Sequence, residues 1–395
     1  MNSRSAIFAD KRVFQLDYVP GQILHRDEQV NKIQLILADL QKGVRPRNIL
    51  CIGDFGTGKT AVVRSVCRDL SSMCKTVYVN CAEENTQSRL IRAILRELGV
   101  EVKTGFPKDH YLRFLKDQIA SYPYVILALD EVDRFIEKKD SEYNEFFYTL
   151  SRSLNNVVTI LLTNRMSLET SLSMRLDSRV RDTFRFERVE FGDYYAPELF
   201  DILRDRCLTG LISGTYDDGT VGLIAAVSYR RGLRARGVID LARKAGEIAE
   251  LKGHTKIEEG DVQRAVDELS HERELEVVQR LPPIHRTLLG KILVDSPDSN
   301  LAYEWYRGIA PEYGVGQSLA TFHAYVRDLE TMELVRKEKR GRGRGKGLKM
   351  RLTVPPEIAS LVRRSLESGQ SSWHCASHPT AEDVTGRFYA VSKLS

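Results

Sequence analysis

The sequence predicts an α/β protein in which a parallel sheet with flanking helices precedes a helical segment and a C-terminal segment of three helices and two short strands. Three observations predict this class. A glycine-rich run directly follows the apolar run 48–52. Two further apolar runs, 124–129 and 157–162, end in acidic or amide side chains and have the length of buried parallel strands. From about residue 197 onward, apolar residues recur at the three-to-four spacing of helices.

The glycine-rich run has the complete pattern of a phosphate-binding loop, GxxxxGK[ST]. Its glycines let consecutive backbone N–H groups turn toward phosphates. Lys59 reaches the β- and γ-phosphates, and Thr60 offers its hydroxyl to Mg²⁺. The sequence therefore predicts a nucleoside triphosphate site. The predicted binding residues are Gly53, Asp54, Phe55, Gly56, Thr57, Gly58, Lys59, Thr60 and Ala61.

The two later apolar runs supply candidate catalytic residues. The first ends in Asp130 and Glu131. We expect Asp130 to hold Mg²⁺ and Glu131 to polarise the water that attacks the γ-phosphate. The second ends in Asn164, whose amide can orient the same water, although a plain turn residue is the alternative interpretation. These side chains predict hydrolysis of the nucleoside triphosphate as well as its binding.

Composition sets limits on the class of protein. A chain of 395 residues with 42% hydrophobic residues is large enough for two or three domains with their own cores. We find no run of eighteen apolar residues and no signal-peptide core in residues 1–10, so we expect a cytoplasmic protein without membrane contact. Six cysteines without a C-x-x-C pair predict reduced thiols, with neither disulfides nor structural zinc.

The formal charge of +5 is unevenly placed along the chain. In residues 336–351, nine of sixteen residues are basic and four are glycine. Taken alone, such a run is as typical of a solvated loop as of a nucleic-acid contact. Helical spacing at 284–294, 301–309 and 318–332 precedes it, and short strands are predicted at 333–337 and 348–354.

Three helices followed by a basic hairpin are typical of a winged helix, in which the third helix enters the major groove of DNA. We expect Ser318 to cap that third helix and the arginines of the hairpin to enter a minor groove or contact phosphates. Arg327 lies on the same predicted helix face. The candidate DNA-binding residues here are Gln317, Ser318, Thr321, Tyr325, Arg340, Arg342, Arg344 and Lys346.

A small helical lid is predicted between these two parts, with helices at 198–208, 218–228, 236–251 and 258–269. Arginines cluster where the third helix begins. Positive charge at a helix N-terminus opposes the helix dipole, so an anion is the natural partner, and Arg236 could reach the γ-phosphate. A basic cluster that faces solvent is the alternative.

These motifs together resemble the archaeal origin recognition complex and cell division control initiators of the AAA+ ATPase family. The resemblance covers nearly the whole chain. It implies an AAA+ α/β core at 1–190, a helical lid at 191–272 and a winged-helix domain at 273–366. We expect residues 367–395, which are rich in Ser, His and small residues, to form a disordered tail.

The resemblance also implies roles for single residues. The segment with Tyr18 and Val19 matches the part of the family that packs on adenine, and Asn164 matches sensor 1. Arg179 matches the arginine finger that acts on the ATP of a neighbouring subunit. Arg236 matches sensor 2, but the sequence Gly-Leu-Arg-Ala-Arg leaves Arg234 open as the alternative.

The family inserts a DNA-contacting helix between the second core strand and Asp130. In this chain the matching region is 101–116, although an ordinary amphipathic helix with a solvated basic face would look the same. Its candidate residues are Lys103, Lys108, His110, Arg113 and Lys116.

The function that the resemblance implies is replication initiation. We expect ATP or ADP and Mg²⁺ as cofactors, slow hydrolysis that acts as a switch, and duplex origin DNA as a partner. A replicative helicase and other initiator paralogues are expected protein partners. Two alternatives stay open, an ATP-gated transcription regulator and a clamp-loader-like remodelling ATPase, although the basic glycine loop argues against the second. DNA sequence preference, oligomeric state and paralogue role cannot be read from this sequence.

Overall fold

The structure is a computed structural model that divides into two compact units, Met1–Ala265 and Val266–Ser395. It describes residues 5–15, 17–84, 86–136, 142–152, 154–165, 177–178, 184–295, 299–332, 334–340, 349–354 and 359. The predicted tail at 367–395 lies outside these residues. So do four candidate site residues, namely Arg179, Arg342, Arg344 and Lys346.

A parallel sheet lies at the centre of the first unit. Its strands are β1 (Asn48–Gly53), β2 (Lys75–Asn80), β3 (Val125–Asp130), β4 (Val157–Thr163) and β5 (Phe186–Phe191). Within the described part of the chain, these five strands pair in the order β2-β3-β4-β1-β5, and all neighbours run parallel. The strands predicted at 48–52, 124–129 and 157–162 are confirmed. β1, β3 and β4 are buried along their whole length because helices cover both faces.

Two helical layers cover the sheet. The helices are α1 (Asp27–Leu37), α2 (Lys59–Leu70), α3 (Gln87–Glu97), α4 (Lys108–Ile119), α5 (Asp133–Ile136) and α6 (Glu142–Arg152). Alternate residues of β1 face opposite layers. Ile49 packs in a cluster with residues of α1 and α2, whereas Leu50 packs in a cluster with residues of α3, α4 and α6. The first unit therefore has the three-layer α/β core that the sequence predicts.

The lid helices follow the sheet. They are α7 (Ala196–Gly210), α8 (Asp218–Arg230), α9 (Ala235–Lys252) and α10 (Glu259–Arg280). All four begin within two residues of their predicted starts, but α10 continues eleven residues past its predicted end at 269. No glycine or proline interrupts residues 261–281, so nothing in that stretch stops the helix. The predicted boundary at 272/273 thus lies inside a helix.

The N-terminal segment packs on residues of the lid. Phe8 forms an antiparallel bridge with Leu211, just after α7. The backbone N–H of Ala9 donates to the carbonyl of Gly210 at 3.0 Å. A Cβ added to Gly246 of α9 would lie 2.6 Å from the Phe8 ring. Ile7 and Phe8 are buried, and the lid supplies the apolar surface that these side chains need.

The second unit contains the elements predicted for its C-terminal part. They are α11 (Pro283–Asp295), α12 (Ser299–Ile309), α13 (Leu319–Thr331) and the antiparallel pair β6 (Arg336–Arg340) and β7 (Lys349–Thr353). Ser318 caps α13 as predicted, because its hydroxyl accepts the Thr321 N–H at 3.1 Å. β6 starts three residues later than predicted. The preceding Leu334 and Val335 are buried in the core of this unit.

One buried carboxylate joins the end of α9 to the start of α10. Asp261 has no exposed surface and accepts hydrogen bonds from Lys252 Nζ at 2.7 Å, His254 Nδ1 at 2.9 Å and the Glu258 N–H at 3.0 Å. Burial alone would raise the pKa of Asp261, but these hydrogen bonds outweigh it and leave the pKa below its usual value. A carboxylate with a lowered pKa stabilises the fold above its unfolded-state pKa of about 4, and this contribution is lost as the pH falls further.

We predict that Asp261→Asn lowers the free energy of unfolding by about 1–3 kcal/mol at pH 7, because the amide cannot replace a charged acceptor. The deficit should shrink below about pH 4, where Asp261 of the native protein takes up a proton. Urea unfolding followed by circular dichroism from pH 7 to 3 measures both effects. Glu259→Gln is the matched control, since Glu259 is exposed. A deficit that does not change with pH would contradict this account.

Candidate active site

Three strands bring the candidate catalytic residues to one edge of the sheet. Ile52 of β1 lies opposite Thr163 of β4, and Leu129 of β3 lies opposite Leu161 of β4. The carboxyl ends of these parallel strands therefore meet, which is where α/β proteins bind ligands. The phosphate-loop motif follows β1, the acidic pair ends β3, and Asn164 follows β4.

The loop between β1 and α2 has the backbone that its glycines permit. Gly56 and Gly58 have φ values of 72° and 91°, a region that other residues rarely adopt. Lys59 begins α2 directly after Gly58. The N-terminus of α2, with its free N–H groups, thus belongs to the loop and favours an anion. A Cβ at Gly58 would also lie 2.5 Å from the Tyr194 hydroxyl, so this position has no room for a side chain.

The ammonium group of Lys59 is buried among neutral oxygens. It donates to the carbonyl oxygens of Gly53 at 2.8 Å and Asp54 at 2.7 Å, and to Asn164 Oδ1 at 2.8 Å. Burial lowers the pKa of Lys59 to about 8, although the carboxylates of Asp130 and Asp54 act in the opposite direction. A buried cation that contacts only neutral oxygens is suited to a polyphosphate, whose charge would compensate it.

The Asp130 carboxylate is the acidic centre of the cleft. Its Oδ2 accepts the hydroxyls of Thr60 at 2.7 Å and Tyr78 at 2.5 Å, and its Oδ1 accepts the Glu131 N–H at 2.8 Å. Mg²⁺ prefers oxygen ligands, commonly one or two carboxylates together with phosphates. Thr60 and Asp130 therefore fit a Mg²⁺ ion that accompanies a nucleotide. Burial and the neighbouring Asp130 raise the pKa of Tyr78, which keeps its hydroxyl a donor.

Glu131 has a strained backbone and a perturbed carboxyl group. Its φ is +49°, in the left-handed region that residues other than glycine seldom occupy. Such strain is concentrated at functional sites. Burial raises the pKa of Glu131, and the carboxylates of Asp130 and Asp133 raise it further. A carboxylate with a raised pKa is a better proton acceptor than an ordinary one.

The cleft is lined by phosphate-loop residues and by a mixed set of other side chains. Its empty space is about 1130 Å³, including solvent at its mouth. Phosphate-loop residues 55–61, Asp130, Glu131 and Asn164 belong to the lining. Gly53 and Asp54, also predicted to bind nucleotide, are not part of it and contribute the carbonyls that hold Lys59. A group of apolar lining residues, called the apolar end below, consists of Tyr18, Val19, Pro20, Ile23, Ile202 and Ile239, and the polar Gln15, Asp17, Gln22 and Asp205 also line the cleft.

Arg206 stabilises this apolar end, a role that we did not predict from the sequence. It is buried and donates to the carbonyl oxygens of Val13 at 3.1 Å and Tyr18 at 3.4 Å. Its guanidinium lies 4.5 Å from the Tyr18 ring centroid. Arg206 follows the buried Leu199 and Leu203 on one face of α7. An arginine at a core position of an amphipathic helix is a signal that could have identified it.

Arg26 and Tyr194 form a second contact that the sequence did not indicate. Arg26 is buried and donates to the carbonyl oxygens of Thr57 at 2.9 Å and Gly192 at 2.6 Å. Its guanidinium lies 3.7 Å from the Tyr194 ring centroid. Arg26 therefore links the phosphate loop to the segment between β5 and the lid.

The two arginines that the sequence left open have different positions. Arg236 lines the cleft together with Lys59 and Glu131. Arg234 lies outside the lining and donates to Asp54 Oδ2 at 2.6 Å and Asp193 Oδ1 at 2.6 Å. The geometry thus favours Arg236 as the arginine that faces a nucleotide.

The candidate DNA-binding residues of the first unit lie on or before α4. Lys103, Arg113 and Lys116 are exposed. Lys108 forms an ion pair with Glu145 and is therefore less available. The His110 ring lies between Phe106 and Phe114, with both centroid distances at 4.6 Å.

The candidate residues of the second unit differ in exposure. Gln317 and Ser318 are exposed, whereas Thr321 and Tyr325 are both partly exposed. The Tyr325 ring packs against the core, 4.7 Å from the His285 ring and 5.8 Å from the Tyr306 ring. Tyr325 therefore lies at the border between the buried face of α13, which carries Phe322 and Val326, and its exposed face. The residues that α13 does expose include Ala320, His323, Ala324 and Arg327.

The family models match both parts of the first unit. Residues 43–173 match an AAA domain, and residues 200–267 match a Cdc6 AAA+ ATPase-type lid domain. The ORC1-type DNA replication protein 1 of Methanosarcina acetivorans is 34% identical over 300 residues, which cover 73% of this chain and 71% of that protein. The chain belongs to the ORC1-type DNA replication proteins. The protein of the same name from Sulfurisphaera tokodaii is 32% identical over 330 residues, covering 79% and 81%.

Two solved structures have a similar fold. The Aeropyrum pernix ORC1 protein in complex with DNA is similar over 93% of this chain and 98% of its own, with 29% identity and a TM-score of 0.71. Cdc6p of Pyrobaculum aerophilum is similar over 92% and 100%, with 21% identity and a TM-score of 0.57, which concerns the fold alone. The AAA+ fold class is therefore confirmed. None of the described helices is both long and apolar enough to cross a membrane.

We predict that Arg236→Ala lowers kcat/KM for ATP about tenfold or more, because it removes a cation from the cleft where charge develops. Arg234→Ala is the matched control. It removes two partly exposed ion pairs, so it should change the free energy of unfolding by less than about 1 kcal/mol and keep most of the activity. Steady-state ATPase kinetics of both variants measure the difference. A larger loss in Arg234→Ala would contradict the assignment.

Proposed function

We propose that this chain is a replication initiator that binds ATP with Mg²⁺ in the cleft, hydrolyses it slowly and binds duplex origin DNA. The observation that carries the proposal is the convergence of Lys59, Asp130, Glu131 and Asn164 at one sheet edge, in a cleft whose lining also includes apolar side chains. Membership of the ORC1-type family supports replication as the process that this ATPase serves.

The chain's own side chains have distinct proposed roles in hydrolysis. Lys59 and the phosphate-loop N–H groups bind the phosphates. Thr60 and Asp130 hold Mg²⁺, which when bound neutralises charge on the phosphates. Glu131 accepts a proton from the attacking water, and Asn164 orients that water. Tyr18 and Val19 contact the adenine.

Slow ATP hydrolysis by an isolated chain is expected because its cations around the γ-phosphate are incomplete. Arg236 is the proposed cation from the lid. Arg179, outside the described residues, is proposed to act on the nucleotide of a neighbouring subunit. An isolated chain therefore lacks one cation that stabilises the transition state, and such an arginine can change kcat by about 10³–10⁵. Hydrolysis would time a switch between ATP and ADP states, with recruitment of a replicative helicase as its proposed outcome.

DNA contact is assigned to two surfaces of the second unit. Gln317, Ser318 and the exposed face of α13, with His323 and Arg327, are proposed to face the major groove. The basic residues Arg340, Arg342, Arg344 and Lys346 are proposed to contact phosphates or the minor groove. The Aeropyrum pernix ORC1 protein was solved in complex with DNA, which supports DNA as a partner of this chain. Lys103, Arg113 and Lys116 are proposed as a further contact from the first unit.

We predict that the double variant Arg342→Ala/Arg344→Ala loses most of its genomic binding sites, because two phosphate contacts are removed. In the cell, chromatin immunoprecipitation should give a few sharp peaks at replication start sites for the native chain and few for the variant. In solution, fluorescence anisotropy with an origin duplex should show a salt dependence whose slope, log Kobs against log salt, falls by about 2.

Lys32→Ala/Lys42→Ala is the control for this experiment. It removes the same charge from exposed residues of the first unit and should leave both the peaks and the salt slope unchanged. Native peaks spread over promoters would favour a transcription regulator, and the absence of peaks would favour a remodelling ATPase. Either result would count against replication initiation.

A further inference from the structure

A tyrosine on the neighbouring strand holds the acidic centre of the cleft. Tyr78 of β2 donates its hydroxyl to Asp130 Oδ2 at 2.5 Å. β2 and β3 pair so that Asn80 lies opposite Asp130 and Tyr78 opposite Ala128. The ring of Tyr78 therefore reaches Asp130 from two residues earlier on the adjacent strand.

The ring of Tyr78 is held from its other side. The Arg64 guanidinium lies 4.1 Å from the ring centroid, within the range of a cation–π contact. Arg64 is four residues after Thr60 on α2, so both side chains lie on the same helix face. The ring of Tyr78 thus contacts Arg64 of α2, and its hydroxyl contacts Asp130 of β3. Because Tyr78 itself lies on β2, these contacts link the three elements.

The orientation of Asp130 depends on its donors. The Glu131 N–H binds Oδ1, whereas Thr60 and Tyr78 both bind Oδ2. The Thr60 hydroxyl is itself the group that phosphate loops offer to Mg²⁺. The position of the Thr60 hydroxyl therefore depends on the metal. Tyr78 also donates to Oδ2, and its position does not depend on the metal. Mutation of a group that orients a metal ligand commonly lowers the affinity for the metal tenfold or more.

We propose that Tyr78 is a positioning residue of the magnesium site, whose hydroxyl holds the Asp130 carboxylate so that Asp130 and Thr60 serve the same ion. This inference rests on the proposed role of Asp130 in Mg²⁺ binding. It adds a residue that the phosphate-loop and acidic-strand motifs do not contain. Phenylalanine at position 78 would keep the ring and its contact with Arg64, and would lose only the hydrogen bond.

We predict that Tyr78→Phe needs about tenfold more Mg²⁺ than the native chain to reach half of the metal-dependent increase in ADP affinity. Isothermal titration of ADP at a series of Mg²⁺ concentrations measures this shift. One further readout separates positioning from a merely structural role. The ADP affinity in EDTA should equal that of the native chain, and a tenfold loss of that affinity as well would overturn the proposal.

Two variants complete the experiment. Tyr124→Phe removes a hydroxyl that donates to the Gly43 carbonyl at 2.6 Å, beyond the opposite end of β3, and should behave as the native chain. Asp130→Asn should raise the Mg²⁺ requirement more than Tyr78→Phe does. If Asp130→Asn shifts the requirement and Tyr78→Phe does not, the inference fails and the proposed function stands. If neither variant shifts it, the proposed metal role of Asp130 fails as well.

Discussion

The buried carboxylate of Asp130 is the contact on which the arrangement of the cleft depends. It is only 6% exposed, and a buried charge is tolerated when hydrogen bonds satisfy its oxygens. Its donors come from α2, β2 and the backbone of Glu131. These bonds set the distance between the phosphate loop and the end of β3. The Glu131 N–H belongs to this network, and Glu131 has a left-handed backbone, so one network holds both the proposed metal ligand and the proposed catalytic base.

The two ends of the cleft are carried by different parts of the first unit. The phosphate end belongs to the sheet and α2, whereas the apolar end belongs to the N-terminal segment, α7 and α9. Arg206 joins that segment to α7, and Arg26 joins the start of α1 to the phosphate loop. His25 Nε2 adds a contact of 2.9 Å to Asp201 of α7. A nucleotide bound along the cleft would contact both parts, which is the physical basis for the proposed switch.

Much of this arrangement could be predicted from the sequence. Strands buried on both faces read as continuous apolar runs, which is why β1, β3 and β4 were identified. The phosphate-loop motif has fixed spacing, so its register was certain once β1 was placed. The cap at Ser318 follows from local hydrogen bonding within four residues.

Other features depend on contacts between distant parts of the chain. Tyr78 and Asp130 are 52 residues apart, and Arg206 and Val13 are 193 residues apart, so no local pattern joins them. Arg234 and Arg236 lie two positions apart at the start of α9. Arg234 donates to Asp54 and Asp193, which are distant in the sequence, so the sequence does not indicate which arginine lines the cleft. The Tyr325 ring contacts the His285 ring on another helix, a contact that the spacing within α13 does not indicate. The N-terminal segment contacts the lid through Ala9 and Gly210, which are far apart in the sequence.

The central claim is that this cleft hydrolyses ATP with Glu131 as the base. The most direct measurement is single-turnover hydrolysis of radiolabelled ATP by the native chain and by Glu131→Gln, with ATP affinity measured in parallel. We predict that Glu131→Gln binds ATP as tightly as the native chain and hydrolyses it about 10²–10⁴ times more slowly. Equal hydrolysis rates in the two proteins would contradict the claim.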